Sequence, residues 1–275
     1  MQKTEKSKFR YKKHLGQNFL HDTVKIDRMI SAIAPSMDEY IIEIGPGSGN
    51  LTKRLAPKVK KITAIEIDKE AAEKLRSLDV DNLKIIESDF LKTDFDDIIP
   101  EKSRTRIVGN IPYYITTPII EKIIQNRNRV SELYMTIQKE VAERIAAGEG
   151  SKTYGSLSLF VQFYADAEIL FKVGKKSFFP VPDVDSAFIK ITFKDNKMKV
   201  KDEETFFRLT RGGFQQRRKM LANNIKRVFR MEQAEVEAVM EKAGLDPKAR
   251  AEDVSILDFA KLSDMVYNIR NDLKK

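Results

Sequence analysis

The first half of the chain alternates between short apolar runs and stretches in which apolar residues recur every three or four positions. The runs are rich in isoleucine and predict buried β-strands at 40–44, 61–67, 83–87, 105–109 and 132–137. The longer spacing predicts helices from Asp22, as a cap, to near Pro35, then at 51–55, at 69–78, and from Pro118 with Thr117 as its cap. Strands that alternate with helices predict an α/β fold with a doubly wound, mainly parallel sheet.

Beyond residue 139 the pattern loosens and then becomes wholly helical. A helix is expected to about residue 147, the apolar segment 157–164 fits either a helix or a strand, and strands are expected at 168–173 and 187–193. The polar stretch 194–202 suits a hinge. Helical spacing follows near 203–213, 217–229, 232–242 and 255–269, the last with Ser255 and Asp258 in a capping-box arrangement.

These patterns divide the chain into three expected parts. They are a basic N-terminal arm over 1–21, a main α/β domain over 22–195, and a small all-helical domain over 196–275. A chain of 275 residues is long enough for a main domain with its own core and a smaller second one.

The composition excludes several kinds of chemistry. With no cysteine there is no thiolate nucleophile or thiolate metal ligand, and two histidines, His14 and His21, leave little for a zinc centre or a histidine-based triad. No apolar run approaches the roughly 20 residues that span a bilayer, and the N-terminus lacks a signal-peptide pattern, so we expect a cytoplasmic protein that needs neither membrane nor metal. Its chemistry must use carboxylates, amides, aromatic rings or a bound cofactor.

The positive charge points to a polyanionic partner, although solubility alone is the alternative. The formal charge is +9 and the pI is near 9.4. One basic cluster lies in the arm and comprises Lys3, Lys6, Lys8, Arg10, Lys12 and Lys13, with Phe9 and Tyr11 between them. The other comprises Arg208, Arg211, Arg217, Arg218, Lys219, Lys226, Arg227 and Arg230. The seven-residue spacings within the second cluster predict a shared helix face, which would bind the phosphates of a polyanionic partner or would simply be solvated.

A glycine-rich turn follows the first predicted strand of the sheet. Gly45-Pro46-Gly47-Ser48-Gly49 would let a ligand approach the backbone, or would form an ordinary tight turn. Asn50 stands where a dinucleotide fingerprint needs glycine, which disfavours NAD, and no Lys-Ser/Thr pair closes a phosphate loop.

Two acidic residues lie at the ends of the next predicted strands. Glu66 falls where such folds hold ribose hydroxyls, and Asp89 falls where a carboxylate can accept from an adenine amino group. Either one alone would also fit a solvated or helix-capping acid. Together with Gly45 and Asn110 they follow four strands of one sheet, which favours an adenosine ligand without phosphates, and S-adenosylmethionine above all.

Asn110-Ile111-Pro112-Tyr113 follows the fourth predicted strand and can hold an adenine base. The Asn110 side-chain oxygen and the Ile111 carbonyl can accept the two N6 hydrogens, and Tyr113 can stack on the ring. A loop aromatic, Phe178 or Phe179, can stack on the opposite face, although core packing is the alternative for these two. The alternative for the whole stretch is a turn that merely ends a strand.

Six motifs, in order along nearly the whole chain, resemble those of the small-subunit ribosomal RNA adenine N6,N6-dimethyltransferases, the KsgA family. They are Leu15-Gly16-Gln17-Asn18-Phe19-Leu20, Glu43-Ile44-Gly45-Pro46-Gly47, Asn110-Ile111-Pro112-Tyr113, Gln138-Lys139-Glu140-Val141, Phe179-Pro180-Val181-Pro182-x-Val184-x-Ser186 and Gln216-Arg217-Arg218-Lys219.

The resemblance implies a class I, Rossmann-like methyltransferase sheet with a small helical C-terminal domain. It implies dimethylation of two adjacent adenosines in the terminal hairpin of small-subunit rRNA, by a monomer acting on an assembling subunit. It also implies a cofactor site that is lined by Asn18, Leu20, Gly45, Gly47, Glu66, Asp89 and Asn110.

The chain departs from the family pattern inside the catalytic motif. The family usually has Asn-Leu-Pro-Tyr-Asn, whereas Ile111 and Tyr114 take the second and fifth positions here. Asn-Ile-Pro-Tyr also resembles the methyltransferases of large-subunit rRNA that confer macrolide resistance. A large-subunit rRNA or DNA adenine methyltransferase, and an assembly factor with secondary methylation, therefore remain alternatives.

Overall fold

The apolar runs of the sequence form the central strands of a mixed α/β structure. The computed structural model describes residues 12, 16–99, 104–195 and 198–272. Its strands are β1 Phe19–Leu20, β2 Tyr40–Ile44, β3 Lys61–Glu66, β4 Leu83–Glu87, β5 Thr105–Asn110, β6 Val130–Gln138, β7 Ala165–Val173, β8 Phe178–Phe179 and β9 Ser186–Phe193. Its helices are α1 Thr23–Ile33, α2 Thr52–Leu55, α3 Lys69–Arg76, α4 Phe95–Ile98, α5 Thr116–Gln125, α6 Lys139–Ile145, α7 Ser156–Tyr164, α8 Glu203–Gly213, α9 Leu221–Phe229, α10 Gln233–Lys242 and α11 Ile256–Asp272.

Seven strands form one sheet in the order β4-β3-β2-β5-β6-β9-β7, and β1 pairs with β8 separately. β2 is parallel to both β3 and β5, β4 is parallel to β3, and β6 is parallel to β5. The predicted mainly parallel sheet is therefore confirmed. The chain runs outward from β2 in one direction and returns through β5 in the other, so a switch point lies between these two strands, where open α/β sheets bind ligands.

The central strands are apolar on both faces. Ile41 and Ile42 of β2 point to opposite faces, yet each is 1% exposed. Helices that cover both sides of a parallel sheet produce this pattern, which is why the sequence shows continuous apolar runs there rather than alternation. The predicted cap of α1 is also confirmed, since the Asp22 carboxylate accepts from Lys25 N at 3.1 Å.

Helix α5 begins earlier than its sequence predicts. The expected cap, Thr117, is the second helical residue, and Pro118 is the third. The prediction was wrong because a proline fits any of the first positions of a helix, where the backbone N–H has no intrahelical acceptor to lose. The predicted buried stripe of α5 is confirmed and comprises Ile119, Ile120, Ile123 and Ile124.

The described residues form two units. The first lies within Met1–Lys139 and Ile169–Lys190, and the second within Glu140–Glu168 and Ile191–Lys275. The segment 157–164, which fits either a helix or a strand by its sequence, is helix α7 and belongs to the second unit. In the second unit Phe163 of α7 packs against Phe206 of α8, with ring centroids 4.7 Å apart.

The second unit is mainly helical, and α8 packs against α9 and α11 within it. One half of the predicted capping box at α11 is present, since Asp258 N donates to Ser255 Oγ at 3.1 Å, and that hydroxyl donates to Asp258 Oδ2 at 2.7 Å. None of the helices in the described part of the chain is both long enough and apolar enough to cross a membrane.

The expected helix 217–229 is shorter than predicted, because α9 begins at Leu221. Its buried stripe starts only there, and residues 215–219, which follow α8 in a turn, are polar and exposed. Arg217, Arg218 and Lys219 therefore lie in this turn, and the expectation that they share a helix face with Arg211 and Lys226 was wrong.

Candidate active site

The cavity that contains the site candidates lies at the carboxyl ends of the parallel strands and has a volume of about 210 Å³. It brings together most of the site residues that the sequence predicts: Asn18, Gly45, Gly47, Glu66, Asp89, Asn110, Ile111, Pro112, Tyr113 and Phe178. Glu66, Asp89 and Asn110 meet there because the parallel strands that they end or follow finish at the same edge of the sheet, and the segment before β1 adds Asn18.

The glycine turn follows β2 in a conformation that favours glycine. Gly45 has φ of 62° and Gly47 has φ of 54°, both in the left-handed region. The ring of Phe19 lies over Gly47, and a Cβ added at Gly47 would lie 2.7 Å from Phe19 Cε1. The turn therefore presents its backbone to the cavity and has no room there for a side chain.

Glu66 at the end of β3 is held by two backbone hydrogen bonds. Its Oε2 accepts from Gly47 N and its Oε1 accepts from Asp68 N, each at 2.9 Å. The residue is 4% exposed, and burial raises the pKa of its carboxyl although both hydrogen bonds oppose that rise. Each oxygen keeps a further lone pair, so a fixed carboxylate faces the cavity and can accept from ligand hydroxyls.

A second buried acid, Glu43, lies in β2 just before the turn. Its Oε2 accepts from Thr52 Oγ1 at 2.7 Å. Burial raises the pKa of Glu43 to about 7, the hydroxyl of Thr52 lowers it, and the nearby Glu66 raises it further. Glu43 is therefore a buried anchor between the turn and α2, and it does not line the main cavity.

Asp89 combines the two roles that the sequence leaves open. Its Oδ1 accepts from Leu91 N at 2.9 Å, which caps the short 3-10 turn Phe90–Lys92. The same residue lines the cavity. Since one oxygen is used by the cap, the other is available to a ligand.

The catalytic candidate Asn110 ends β5 with a directed side chain. Its Nδ2 donates to the Asn18 carbonyl at 2.7 Å, which leaves its Oδ1 as an acceptor towards the cavity. Ile111 is 2% exposed and its N–H donates to the Thr136 carbonyl at 3.2 Å. The Tyr113 hydroxyl and Ser186 Oγ are 2.8 Å apart, and burial raises the pKa of Tyr113.

The segment Gly16 to Leu20 forms one wall of the site, and we call it the strap. The Leu20 carbonyl accepts from Asn50 Nδ2 at 2.8 Å, and Gln17 Nε2 donates to Asp68 Oδ2 at 2.8 Å. Phe19 and Leu20 pair antiparallel with Phe179 and Phe178. The strap thus connects the glycine turn, the start of α3 and β8.

Three of the predicted site residues lie in an environment that differs from the one expected. Leu20 lines a smaller neighbouring cavity rather than the main one. Phe178 is 2% exposed and belongs to the core while it borders the main cavity, so its core-packing alternative is realised. Phe179 is 62% exposed and does not line the cavity.

The cavity also contains residues that the sequence reading missed as site residues. Ile67, 53% exposed, Phe90 and Leu91 add apolar surface, and Ser88 adds a hydroxyl. Tyr114, which the sequence analysis noted as a departure from the motif, also lines the cavity. Two of these residues could have been predicted from their positions in the sequence, because Ile67 and Ser88 directly follow the ends of β3 and β4.

The predicted RNA-binding residues have varied surroundings. Lys12 Nζ forms an ion pair with Asp68 Oδ1 at 2.7 Å, so a phosphate would compete with this carboxylate. Burial opposes ionisation of Asp68, but its hydrogen bonds from Lys12 and Gln17 hold its pKa below the usual value. Lys13 and the rest of the predicted arm cluster lie outside the described residues.

The C-terminal basic residues are exposed in the second unit. Arg217 Nη2 lies 3.0 Å from Glu252 Oε2, and Arg211 Nε donates to the Phe207 carbonyl at 3.2 Å. Arg218 and Lys219 are exposed in the turn before α9. Over the described ranges, no group of histidine and acidic residues is arranged to hold a metal ion.

The protein is a Rossmann-like methyltransferase of class I. This class is defined by the strand order, by the glycine turn after the first parallel strand of the sheet, and by the acidic residues at the ends of the next two strands. A family model described as ribosomal RNA adenine dimethylase matches residues 8–268. The chain therefore belongs to the ribosomal RNA adenine dimethylase family.

Relatives and solved structures agree with this assignment. Ribosomal RNA small subunit methyltransferase A of Clostridium acetobutylicum is 42% identical over 266 residues, which cover 96% of each chain. The protein of that name from Geobacillus thermodenitrificans is 41% identical and covers 93% of this chain and 91% of its own.

Two crystal structures share the fold over most of their length. A dimethyladenosine transferase from Plasmodium falciparum has a TM-score of 0.77 and 27% identity, covering 89% of this chain and 95% of that one. The 23S rRNA methyltransferase ErmE has a TM-score of 0.72 and 25% identity, covering 91% and 100%.

Proposed function

We propose that this protein transfers methyl groups from S-adenosylmethionine to N6 of two adjacent adenosines in the 3'-terminal hairpin of small-subunit rRNA, as part of small-subunit assembly. The observation that carries the proposal is the directed Asn110 side chain, with its nitrogen bonded to the Asn18 carbonyl and its oxygen left as an acceptor. Small-subunit enzymes are favoured over the large-subunit alternative because the relatives at 42% and 41% identity carry the small-subunit name.

The cavity suits an adenosine-bearing sulfonium cofactor. The buried Glu66 carboxylate would hold ribose hydroxyls, the partly buried Asp89 would accept from the adenine amino group, and the apolar Ile67 would cover the base. The glycine turn would lie against the amino acid portion. S-adenosylmethionine supplies an electrophilic methyl group when it is bound.

The chain's own groups would prepare the acceptor nitrogen. An exocyclic N6 is a poor nucleophile because its lone pair is delocalised into the purine ring. Two acceptors, Asn110 Oδ1 and the Ile111 carbonyl, would bind the N6 hydrogens and turn the lone pair out of conjugation, while Tyr113 would stack on the ring. Holding two reactants in attack geometry contributes roughly 7 to 11 kcal/mol, so alignment can supply much of the catalysis.

The substrate base must reach this pocket outside a duplex. An adenine in a helix cannot place N6 at Asn110, so the base would be single-stranded or flipped, and each stacking contact would contribute about 1 to 3 kcal/mol. Phe179, 62% exposed, would meet the RNA at the rim, and the basic turn with Arg217, Arg218 and Lys219 would bind phosphates.

Methyl transfer from labelled cofactor tests this proposal. The purified protein is incubated with unmodified small subunits, large subunits or DNA, and the modified bases are mapped. We expect N6,N6-dimethyladenosine at two adjacent positions of small-subunit rRNA only. Label in large subunits or DNA would establish one of the alternative methyltransferases, and tight binding to small subunits without label would establish an assembly factor.

A further inference from the structure

Tyr114 directly follows the stretch Asn110-Ile111-Pro112-Tyr113 and has no role in the proposed transfer. It lines the main cavity and is 61% exposed. It also occupies the position where the sequence departs from the motif Asn-Leu-Pro-Tyr-Asn.

The ring of Tyr114 packs against the strap at Gly16. A Cβ added at Gly16 would lie 3.0 Å from Tyr114 Cε1 and 3.1 Å from Cδ1. Gly16 has φ of 58°, which disfavours other residues there. The absence of a side chain therefore lets the ring lie directly on the backbone of the strap.

The strap transmits this contact to the catalytic amide. The Gly16 carbonyl accepts from Asn18 Nδ2 at 3.3 Å, and the Asn18 carbonyl accepts from Asn110 Nδ2 at 2.7 Å. The rotation of the Asn110 carboxamide thus depends on where the Asn18 carbonyl lies. That carbonyl belongs to the backbone on which the Tyr114 ring rests.

We infer that Tyr114 is a positioning residue for methyl transfer, which presses the strap at Gly16 and so fixes the Asn110 carboxamide with its oxygen towards N6. The inference rests on the proposed function. It gives the residue at the fifth position of the motif a positioning role. It also means that the strap helps to position the substrate base as well as the cofactor.

If Tyr114 fixes the Asn110 carboxamide, its loss affects the second methylation more than the first. An adenine amino group offers two hydrogens to two acceptors, so a shifted Asn110 still leaves one of them bound. N6-methyladenosine offers only one hydrogen, and its methyl group must occupy a defined side. A loosely held carboxamide therefore slows the second transfer more than the first.

The test compares Tyr114→Ala, which removes the ring, with Tyr114→Phe, which keeps it. For Tyr114→Ala we expect accumulation of N6-methyladenosine and a second-transfer rate that is lower by about 10- to 100-fold, the range for small misplacements of reacting groups. Tyr114→Phe should restore the wild-type product ratio, because the contact with Gly16 uses ring carbons. Tyr114→Leu, with partial bulk, should be intermediate. Met37→Ala, which truncates another apolar side chain that is 67% exposed, should match the wild type.

Three measurements separate the possible outcomes. They are the ratio of monomethyl to dimethyl product, kcat against KM for the small subunit, and the Kd for the cofactor by calorimetry, which also shows that each variant is folded. A wild-type product ratio in Tyr114→Ala, with the loss confined to KM or to cofactor affinity, would overturn the inference and make the ring an RNA or cofactor contact. Absence of dimethyladenosine from the wild-type protein would instead overturn the proposed function.

Discussion

At the scale of single residues, the orientation of one carboxamide decides what the end of β5 can do. A strand-ending asparagine that only capped a turn would bond its own local backbone. Asn110 instead bonds the carbonyl of Asn18, a residue from a different part of the chain. This long-range contact uses the donor end of the amide and directs the acceptor end to the cavity.

Replacement of Asn110 with Ala removes that acceptor. We expect cofactor binding by calorimetry to stay close to the wild-type value, and transfer to small-subunit rRNA to fall by about 100- to 1,000-fold, the scale seen when one orienting hydrogen bond at a reacting centre is removed. Near-normal turnover of the variant, measured with labelled cofactor, would contradict the proposed role of Asn110.

Glu43 gives a pH dependence of stability. Its pKa is about 7 in the folded protein, because of burial, and its usual value is 4.5. Between these two pH values the unfolded chain releases a proton that the folded chain keeps, so this residue's contribution to stability is complete below pH 4.5 and is lost as the pH rises towards 7. The loss would be at most about 3 kcal/mol.

The neutral isostere Glu43→Gln isolates this effect. Urea unfolding at pH 5 and pH 7.5 should show a larger fall in the free energy of unfolding for the wild type than for the variant, since all other groups are shared. Parallel pH profiles for the two proteins would show that Glu43 ionises normally.

At this scale, residues at the ends of strands could be predicted from the sequence, whereas contacts between distant side chains could not. Glu66 and Asp89 could be predicted for the cavity because each follows a recognisable strand. The ion pair of Lys12 with Asp68 and the contact of Tyr114 with Gly16 could not, because they join residues far apart in the chain through side-chain packing.

At the scale of elements, the glycine turn and the strap depend on each other. The ring of Phe19 fills the space that a side chain at Gly47 would need. Gly47→Ala would therefore strain a left-handed backbone and displace Phe19, at a cost of about 1 to 3 kcal/mol. We expect weaker cofactor binding by about 10-fold or more and a lower Tm.

Gly174→Ala is the matched control for this substitution. Gly174 has φ of −64°, and nothing lies within 4 Å of an added Cβ. The control should bind cofactor as the wild type does. Equal effects of the two substitutions, or none from Gly47→Ala, would show that the turn accommodates a side chain.

Some elements and their boundaries could be predicted from local sequence patterns, and others could not. The parallel strands were predictable because burial on both faces leaves continuous apolar runs. The starts of α5 and α9 could not be predicted. For α5, Pro118 fits several early helical positions. For α9, the basic residues before Leu221 continue a helical spacing but contribute no buried stripe. Segment 157–164 was ambiguous because a short apolar run fits either kind of element.

At the scale of the whole molecule, the charge of +9 predicts salt-sensitive RNA binding. Exposed Arg218 and Lys219 lie in the turn before α9. The double substitution with Ala should weaken binding to small subunits and reduce the slope of log K against log salt by about 1.5 to 2. Filter binding at several salt concentrations measures both effects.

A charge-matched control separates local contacts from net charge. Lys53→Ala with Lys58→Ala removes two exposed charges from the first unit, outside the predicted RNA-binding clusters. We expect its slope to stay near the wild-type value. If the two double variants showed equal slopes, Arg218 and Lys219 would be solvated surface residues that make no specific contact with RNA.

Pairing between β1 and β8 has a consequence for biosynthesis. Phe19 and Leu20 pair with Phe179 and Phe178, which are synthesised long after the glycine turn, Glu66, Asp89 and Asn110. A nascent chain that has emerged only as far as Asn110 therefore carries most of the residues proposed to hold the cofactor but lacks the partner strand of β1. The N-terminal wall of the pocket is synthesised first, but it can be completed only after residues 178–179 have left the ribosome.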